Sequence, residues 1–286
     1  MEKISKAQVK FVRSLQLKKV RDAEGLFVAE GEKCVEELRC GFELVYYIQT
    51  AEKQGQEVAT LIATPTEIEQ MSSLKTPQGV IGVFKKPVGE AVCQSKAGLI
   101  LVLDGIQDPG NLGTIIRTCD WFGVHEIVCS RDTADCYNPK VVQATMGALA
   151  RVKVRYVDLV EWLEGIRNQE SGIRIYGTLL DGKNMYEVLD RTLGTRANEV
   201  HADRRAEAGV ARQFSGAVLT NASSLPNAII MGNEGNGISA EVRKFITDPI
   251  YIPTYPNKET SDVVESLNVS IATAIVLAEF RRPSIP

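Results

Sequence analysis

Histidine is nearly absent. The 286-residue chain has two, His125 and His201. A zinc site or a histidine-based triad has almost no material to work with, and no metal ligands are expected. The six cysteines, Cys34, Cys40, Cys93, Cys119, Cys129 and Cys136, include no C-x-x-C pair. Several lie in apolar stretches, where a free thiol behaves as a small hydrophobe. Reduced thiols in a cytoplasmic protein are expected, not a disulfide framework. No apolar run reaches the roughly 18 residues of a membrane span. The N-terminus, MEKISKAQVK, carries lysines with no apolar segment after them, which argues against a secretory signal. Familiar nucleotide fingerprints are missing as well. No G-K-[ST] phosphate loop exists, and MGNEGNGIS (231–239) reads G-x-x-G-x-G, not G-x-G-x-x-G.

What remains is an ordinary globular composition, 44 % hydrophobic and 24 % charged, at a length that suits two domains. Net charge is −3, so the total does not advertise nucleic-acid binding. The distribution says more. Lys3, Lys6, Lys10, Arg13, Lys18, Lys19 and Arg21 crowd the first 21 residues, with Glu2 the only acid there. Such a segment either neutralises phosphates or is a solvated helix face, and this feature alone does not choose. On the first reading Lys10, Arg13, Lys18 and Lys19 are candidate RNA contacts.

Periodicity predicts a helix over 6–17, strands at 26–31, 43–50, 57–63 and 79–85, a helix through Cys34, Val35 and Leu38, and a short helix with Thr66 as N-cap. This is a small α/β unit. Residues 85–97 lack a clear period and read as a linker, placing one domain at 1–95 and another at 96–286. In the second, strands at 99–105, 126–130, 152–157, 173–178, 227–232 and 249–253 alternate with helices, which implies a mostly parallel sheet. The last helix is expected from about Ser266 to Arg281, with Leu267, Ile271, Ala274, Ile275 and Ala278 as its buried stripe. Residues 190–215 are polar, rich in Ala, Arg and Glu, and read as an exposed insertion.

Three segments follow predicted strands: LDGIQDPGNLGTIIRT (103–118), MGNEGNGIS (231–239) and IPTYPNKETSDVVESLNVSIATA (252–274). Each puts a loop at the carboxyl end of a strand, where open α/β sheets bind ligands. Taken singly each is more readily a turn than a site. Asn111 suits a turn or a helix cap, Glu234 a capped turn, and Ser266 an N-cap with Asn268 in the first helical turn. Arg117 suits a surface position. In this order, however, the segments resemble the three motifs of the SpoU/TrmH branch of the SPOUT methyltransferases. FVAEG (27–31), TPQGV (76–80) and the early basic helix resemble the substrate-binding domain that precedes the catalytic domain in many members.

The resemblance implies a SPOUT-type parallel sheet with a deep trefoil knot, preceded by a small α/β RNA-binding domain, in a homodimer. It implies an S-adenosylmethionine-dependent methyltransferase acting on a ribose 2′-hydroxyl of RNA. Asn111 and Arg117 match the first motif, Glu234 the second, and Ser266 and Asn268 the third, as the catalytic set. Gly232, Ile252 and Leu267 match cofactor contacts, and Thr178, Gly232 and Ile252 end the knot strands. The long 253–265 stretch and the 190–215 insertion depart from the pattern. The two-domain layout leans towards large-subunit ribosomal RNA. A transfer-RNA enzyme, an antibiotic-resistance ribosomal-RNA enzyme, a base methyltransferase and a non-catalytic RNA-binding module are the competing readings, with a Rossmann-type small-molecule methyltransferase weaker because no glycine fingerprint follows a first strand.

Overall fold

Ser5 starts the first helix. Its hydroxyl accepts from Gln8 N at 3.2 Å, and Gln8 Oε1 accepts from Ser5 N at 2.8 Å, a reciprocal cap that satisfies two donors at once. The computed structural model to which this belongs describes residues 2–51, 60–87, 98–169, 173–190, 227–255 and 266–282. Most of the expected linker, 88–97, lies outside the described residues, as do Cys93, residues 191–215 of the expected insertion, and 256–265.

A two-residue strand β1 (Glu2–Lys3), which periodicity does not show, precedes α1 (Lys6–Ser14). The single helix expected over 6–17 is in fact two. A turn at Leu15–Leu17 separates α1 from α2 (Lys18–Glu24), which Gly25 ends at φ 63°. The break serves Arg21. Its Nη1 donates to the carbonyls of Leu15 at 3.0 Å and Gln16 at 2.7 Å, groups that a helix end leaves without partners. There follow β2 (Leu26–Glu30), α3 (Glu32–Leu38), β3 (Leu44–Thr50), β4 (Thr60–Ala63), α4 (Pro65–Met71) and β5 (Val80–Lys85). Thr64, not Thr66, caps α4, with Pro65 at the first helical position, where its missing N–H costs nothing. The strands form a mixed sheet in the order β1-β4-β3-β5-β2, with Val9, Val12, Ile48, Ile68 and Ile81 in the core on one face. FVAEG and TPQGV meet here. Glu30 is buried and accepts from Ser73 N and Ser73 Oγ, both at 2.7 Å, while Gly31 N donates to Val80 O at 2.9 Å.

The chain continues with β6 (Leu99–Asp104), α5 (Pro109–Trp121), β7 (Glu126–Ser130), α6 (Pro139–Thr145), a 3₁₀ turn (Ala148–Ala150), β8 (Lys153–Val157), α7 (Leu159–Gln169) and β9 (Arg174–Asn184). Then come β10 (Asn227–Gly232), α8 (Ala240–Arg243), β11 (Asp248–Tyr251) and α9 (Val269–Arg281). Two compact units result, Met1–Cys93 with Gly105–Tyr156, and Gln94–Asp104 with Val157–Pro286.

In the first unit, the small sheet packs on the segment after β7. Arg21 is 1 % exposed, and its Nη2 meets Asp135 Oδ2 at 2.6 Å. The Phe27 and Tyr137 rings lie 4.9 Å apart, and Lys86 Nζ stands 5.1 Å from the Tyr137 ring centre. Gly147 holds φ 91°, and a Cβ there would fall 2.3 Å from Glu37 Cβ, so only glycine permits this approach of α3. Cys34, Cys119, Cys129 and Cys136 are buried free thiols. Burial pushes Cys34 up to about 11 and Cys136 up to about 12.

In the second unit, β11-β9-β10-β6 run parallel. β9 runs on to Asn184, past its expected end at Thr178. The last helix corrects its expected phase. It starts at Val269 with Asn268 as N-cap and buries Val269, Ser270, Thr273, Val276 and Leu277. Leu267 and Ile271 are 49 % and 52 % exposed. The helix is apolar on more than one side, so periodicity alone could not choose its buried face. Tyr176 and Phe280 meet edge to face at 4.8 Å and fix the helix against β9. Asp190, the first residue of the expected insertion, pairs with Arg282. No helix among the described residues is long and apolar enough to cross a membrane.

Replacing Arg21 by alanine strands Asp135 and two carbonyls. Breaking a buried pair this way costs about 3–5 kcal/mol. Urea unfolding of Arg21→Ala should show a loss of that order. A loss below about 1 kcal/mol would mean that water replaces the guanidinium.

Candidate active site

The helix of the first motif already begins at Pro109, ahead of Gly110 and Gly113. Asp108 caps α5, accepting from Asn111 N at 2.8 Å, and Pro109 takes the first helical position. Asn111 is therefore neither a turn residue nor the cap. It is the third residue of the helix and half-buried. Arg117 lies six residues on, on the exposed face of α5. Among the described residues its guanidinium makes no hydrogen bond or ion pair. The signal for Asp108 was present, an aspartate directly before proline.

The second unit gathers the other two motifs. Parallel pairing sets Gly232, the last residue of β10, opposite Asp104, the last of β6. Thr178 stands beside them in β9, its hydroxyl donating to Ile230 O at 3.3 Å. Ile252 follows directly after β11 and is half-buried. Thr178, Gly232 and the strand ends thus share one edge of the sheet. Asp104, which the sequence reading passed over, is buried and accepts from Ser239 N at 2.7 Å, tying the end of β6 to the far end of the Gly232–Ser239 loop.

That loop is a closed turn. Asn233 and Gly237 exchange backbone hydrogen bonds at 3.0 and 2.9 Å, with Gly237 at φ 68°. The side chain that caps it belongs to Asn233, whose Oδ1 accepts from Gly235 N at 2.8 Å and Asn236 N at 3.1 Å. Glu234 stands exposed at the tip of the turn. A Cβ on Gly232 would lie 2.3 Å from Gly237 C and 2.4 Å from Ile238 N.

In the third motif Asn268, not Ser266, is the N-cap of the last helix, accepting from Ser270 N at 3.0 Å and Ile271 N at 3.4 Å. Ser266 and Leu267 precede the cap and are exposed. The basic candidates also sort themselves. Lys10, Arg13, Lys18 and Lys19 are exposed, whereas Arg21 is spent inside the fold. Lys18 is shared with Asp22 at 2.5 Å, and hydrogen bonds from Lys18 and Lys86 hold the Asp22 carboxyl down at about 2.

A strand-edge loop of this kind, at the carboxyl ends of parallel strands, lies where open α/β sheets bind ligands. Residues 98–278 match the family model of the SpoU rRNA Methylase family, and the chain belongs to that family. Residues 6–82 match the MRM3-like substrate binding domain. Among its relatives is the 23S rRNA (guanosine(2553)-2′-O)-methyltransferase RlmP of Bacillus subtilis, 26 % identical over 98 % of each chain. A putative RNA methyltransferase of the TrmH family from Porphyromonas gingivalis superposes at TM-score 0.75, with 36 % identity over 98 % of this chain and 99 % of that one. The AdoMet-bound rRNA methyltransferase from Sinorhizobium meliloti superposes at TM-score 0.73, with 25 % identity over 100 % of this chain and 98 % of that one.

The turn's backbone cannot yield to a methyl group at Gly232. Gly232→Ala should lower stability by about 1–3 kcal/mol and weaken S-adenosylmethionine binding in calorimetry. Gly235→Ala is the matched control, because its Cβ meets nothing closer than Asn233 Oδ1 at 3.4 Å. Equal behaviour of the two variants would refute the tight-turn account.

Proposed function

We propose that this chain methylates a ribose 2′-hydroxyl of large-subunit ribosomal RNA. The family makes it an RNA methyltransferase that uses S-adenosylmethionine. The ribosomal target rests on the relative whose name specifies 23S rRNA and which matches over 98 % of each chain. The observation that carries the mechanism is Arg117, an exposed cation that no carboxylate among the described residues neutralises, on the helix leading away from β6.

The residues at the sheet edge fit the cofactor. Gly232 lets the turn backbone close tightly on the end of β10, while Ile252 and Leu267 supply apolar surface, and such a set suits an adenosine. When bound, the cofactor supplies an electrophilic methyl group. The chain's own task is to align the 2′-hydroxyl and to stabilise the charge that grows on its oxygen. A guanidinium stays protonated in proteins, so Arg117 is assigned as phosphate clamp and electrostatic stabiliser, not as base. An adjacent RNA phosphate takes the proton. Asn111 and Glu234 orient the arginine and the ribose, and Ser266 and Asn268 shape the methyl end, with Thr178, Gly232, Ile252 and Leu267 around the cofactor.

RNA affinity is assigned to Lys10, Arg13, Lys18 and Lys19, with Lys18 contributing least because Asp22 competes for it. The sequence division into 1–95 and 96–286 is retained for function. The trefoil knot through β9, β10 and β11, a cytoplasmic location and a homodimer belong to the same proposal. Support for the dimer is the apolar surface at the start of the last helix, where Ile271 on the helix and Leu267 just before its cap are half in water.

The test is methylation of ribosomal RNA from cells lacking the gene, followed by nuclease digestion and mass spectrometry. Ribose-methylated nucleosides are expected; a base-methylated product refutes the reading. Arg117→Ala should cut single-turnover rate by about 10²–10³ with cofactor affinity nearly unchanged. Arg117→Lys should also be slow, since one ammonium cannot reproduce a two-pronged contact. A near-normal lysine variant would sink that role. The dimer has its own measurement, light scattering of wild type and Ile271→Lys. A wild-type dimer and a monomeric variant are expected, and a wild-type monomer at micromolar concentration defeats the assignment.

A further inference from the structure

Trp121 is the last residue of α5 and is 85 % exposed. It stands four residues after Arg117, one helical turn along the same face. That face consists of Gly110, Thr114, Arg117 and Trp121, all exposed. The Thr114 hydroxyl is spent on Gly110 O at 2.8 Å, inside the helix. Among the described residues the one cation placed over a ring is Lys86 on Tyr137, so the indole is not occupied by Arg117. An arginine and a tryptophan are thus the two side chains of this face whose binding capacity is unused. Helical side chains lean towards the N-terminus, so an indole at 121 covers the turn that carries Arg117.

An exposed indole presents a planar face on which a ring can stack, and Arg117 beside it indicates the kind of partner. A planar ring beside a phosphate-binding cation matches the backbone and the base of a single nucleotide step, whose two parts differ as these two side chains do. We propose that Trp121 is a stacking platform for an unpaired base of the RNA substrate, adjacent to the nucleotide whose phosphate Arg117 holds. The inference rests on the reading of Arg117 given above and adds a requirement to it: the target must be single-stranded or splayed open there. A base inside a duplex has no free face to offer.

The chain has two tryptophans, Trp121 and Trp162. In Trp162→Phe all indole emission comes from Trp121. Titration with a mixed-sequence single-stranded RNA at low salt should quench it, and a fully paired RNA duplex of the same length should not. Trp121→Ala should lose roughly 5- to 100-fold in affinity for the single strand, Trp121→Phe should keep most of it, and S-adenosylmethionine binding should match wild type in both. Unchanged emission on RNA addition overturns the proposal. So does a blue shift that grows with protein concentration and needs no RNA, because a second copy of the chain then covers the ring. Ribose methylation with no quenching, and with Trp121→Ala fully active, removes the platform and leaves the enzyme reading standing. Quenching without any methylation does the reverse.

Discussion

Six successive residue pairs, from Asn227 opposite Leu99 to Gly232 opposite Asp104, bind β10 to β6 in parallel. On this pairing the candidate site depends. Parallel strands end at the same edge, so Asp104 and Gly232 stand together however far apart they lie in the chain. The register matters as much as the direction. β10 is apolar on both faces, so what a slip of one residue would lose is the placing of Gly232 opposite Asp104. The Asp104 carboxylate then uses that register, because its bond to Ser239 N closes the Gly232–Ser239 segment over the strand from which it began.

The first unit is organised by a different kind of constraint. A guanidinium 1 % exposed cannot remain without acceptors, and Arg21 is given a carboxylate and two helix-end carbonyls. The break between α1 and α2 is what frees those carbonyls. The basic segment is divided by role even within α2. Lys10, Arg13, Lys18 and Lys19 face water, and Arg21 faces inward.

Most strands were legible because they are continuous apolar runs with turn residues on either side, and the three motif segments were legible because glycine clusters follow those runs. The departures share a cause. Nothing local marks Arg21 among seven basic residues, since its partner Asp135 is 114 positions away. The last helix carries apolar residues on two sides, so Leu267 and Ile271 read as core and prove to be surface. The motif in the second loop highlights Glu234, but the geometry of the turn belongs to Asn233, which offers an acceptor to two backbone amides and leaves the acid at the tip. Asp108 could have been read, and with it the true start of α5.

The close fit of α3 against Gly147, together with Arg21 on Asp135 and Phe27 on Tyr137, bears on how such proteins can be recombined. The boundary along the chain is not the boundary that the packing draws. A graft of residues 1–95 onto another scaffold would leave a buried cation, the Phe27 ring and the face of α3 that meets Gly147 without their counterparts. The transplantable piece includes the 131–147 segment as well. For this fold, a module is therefore a patch of three-dimensional surface with its matching patch, and lineages that exchanged the small domain by itself would have had to rebuild that seam.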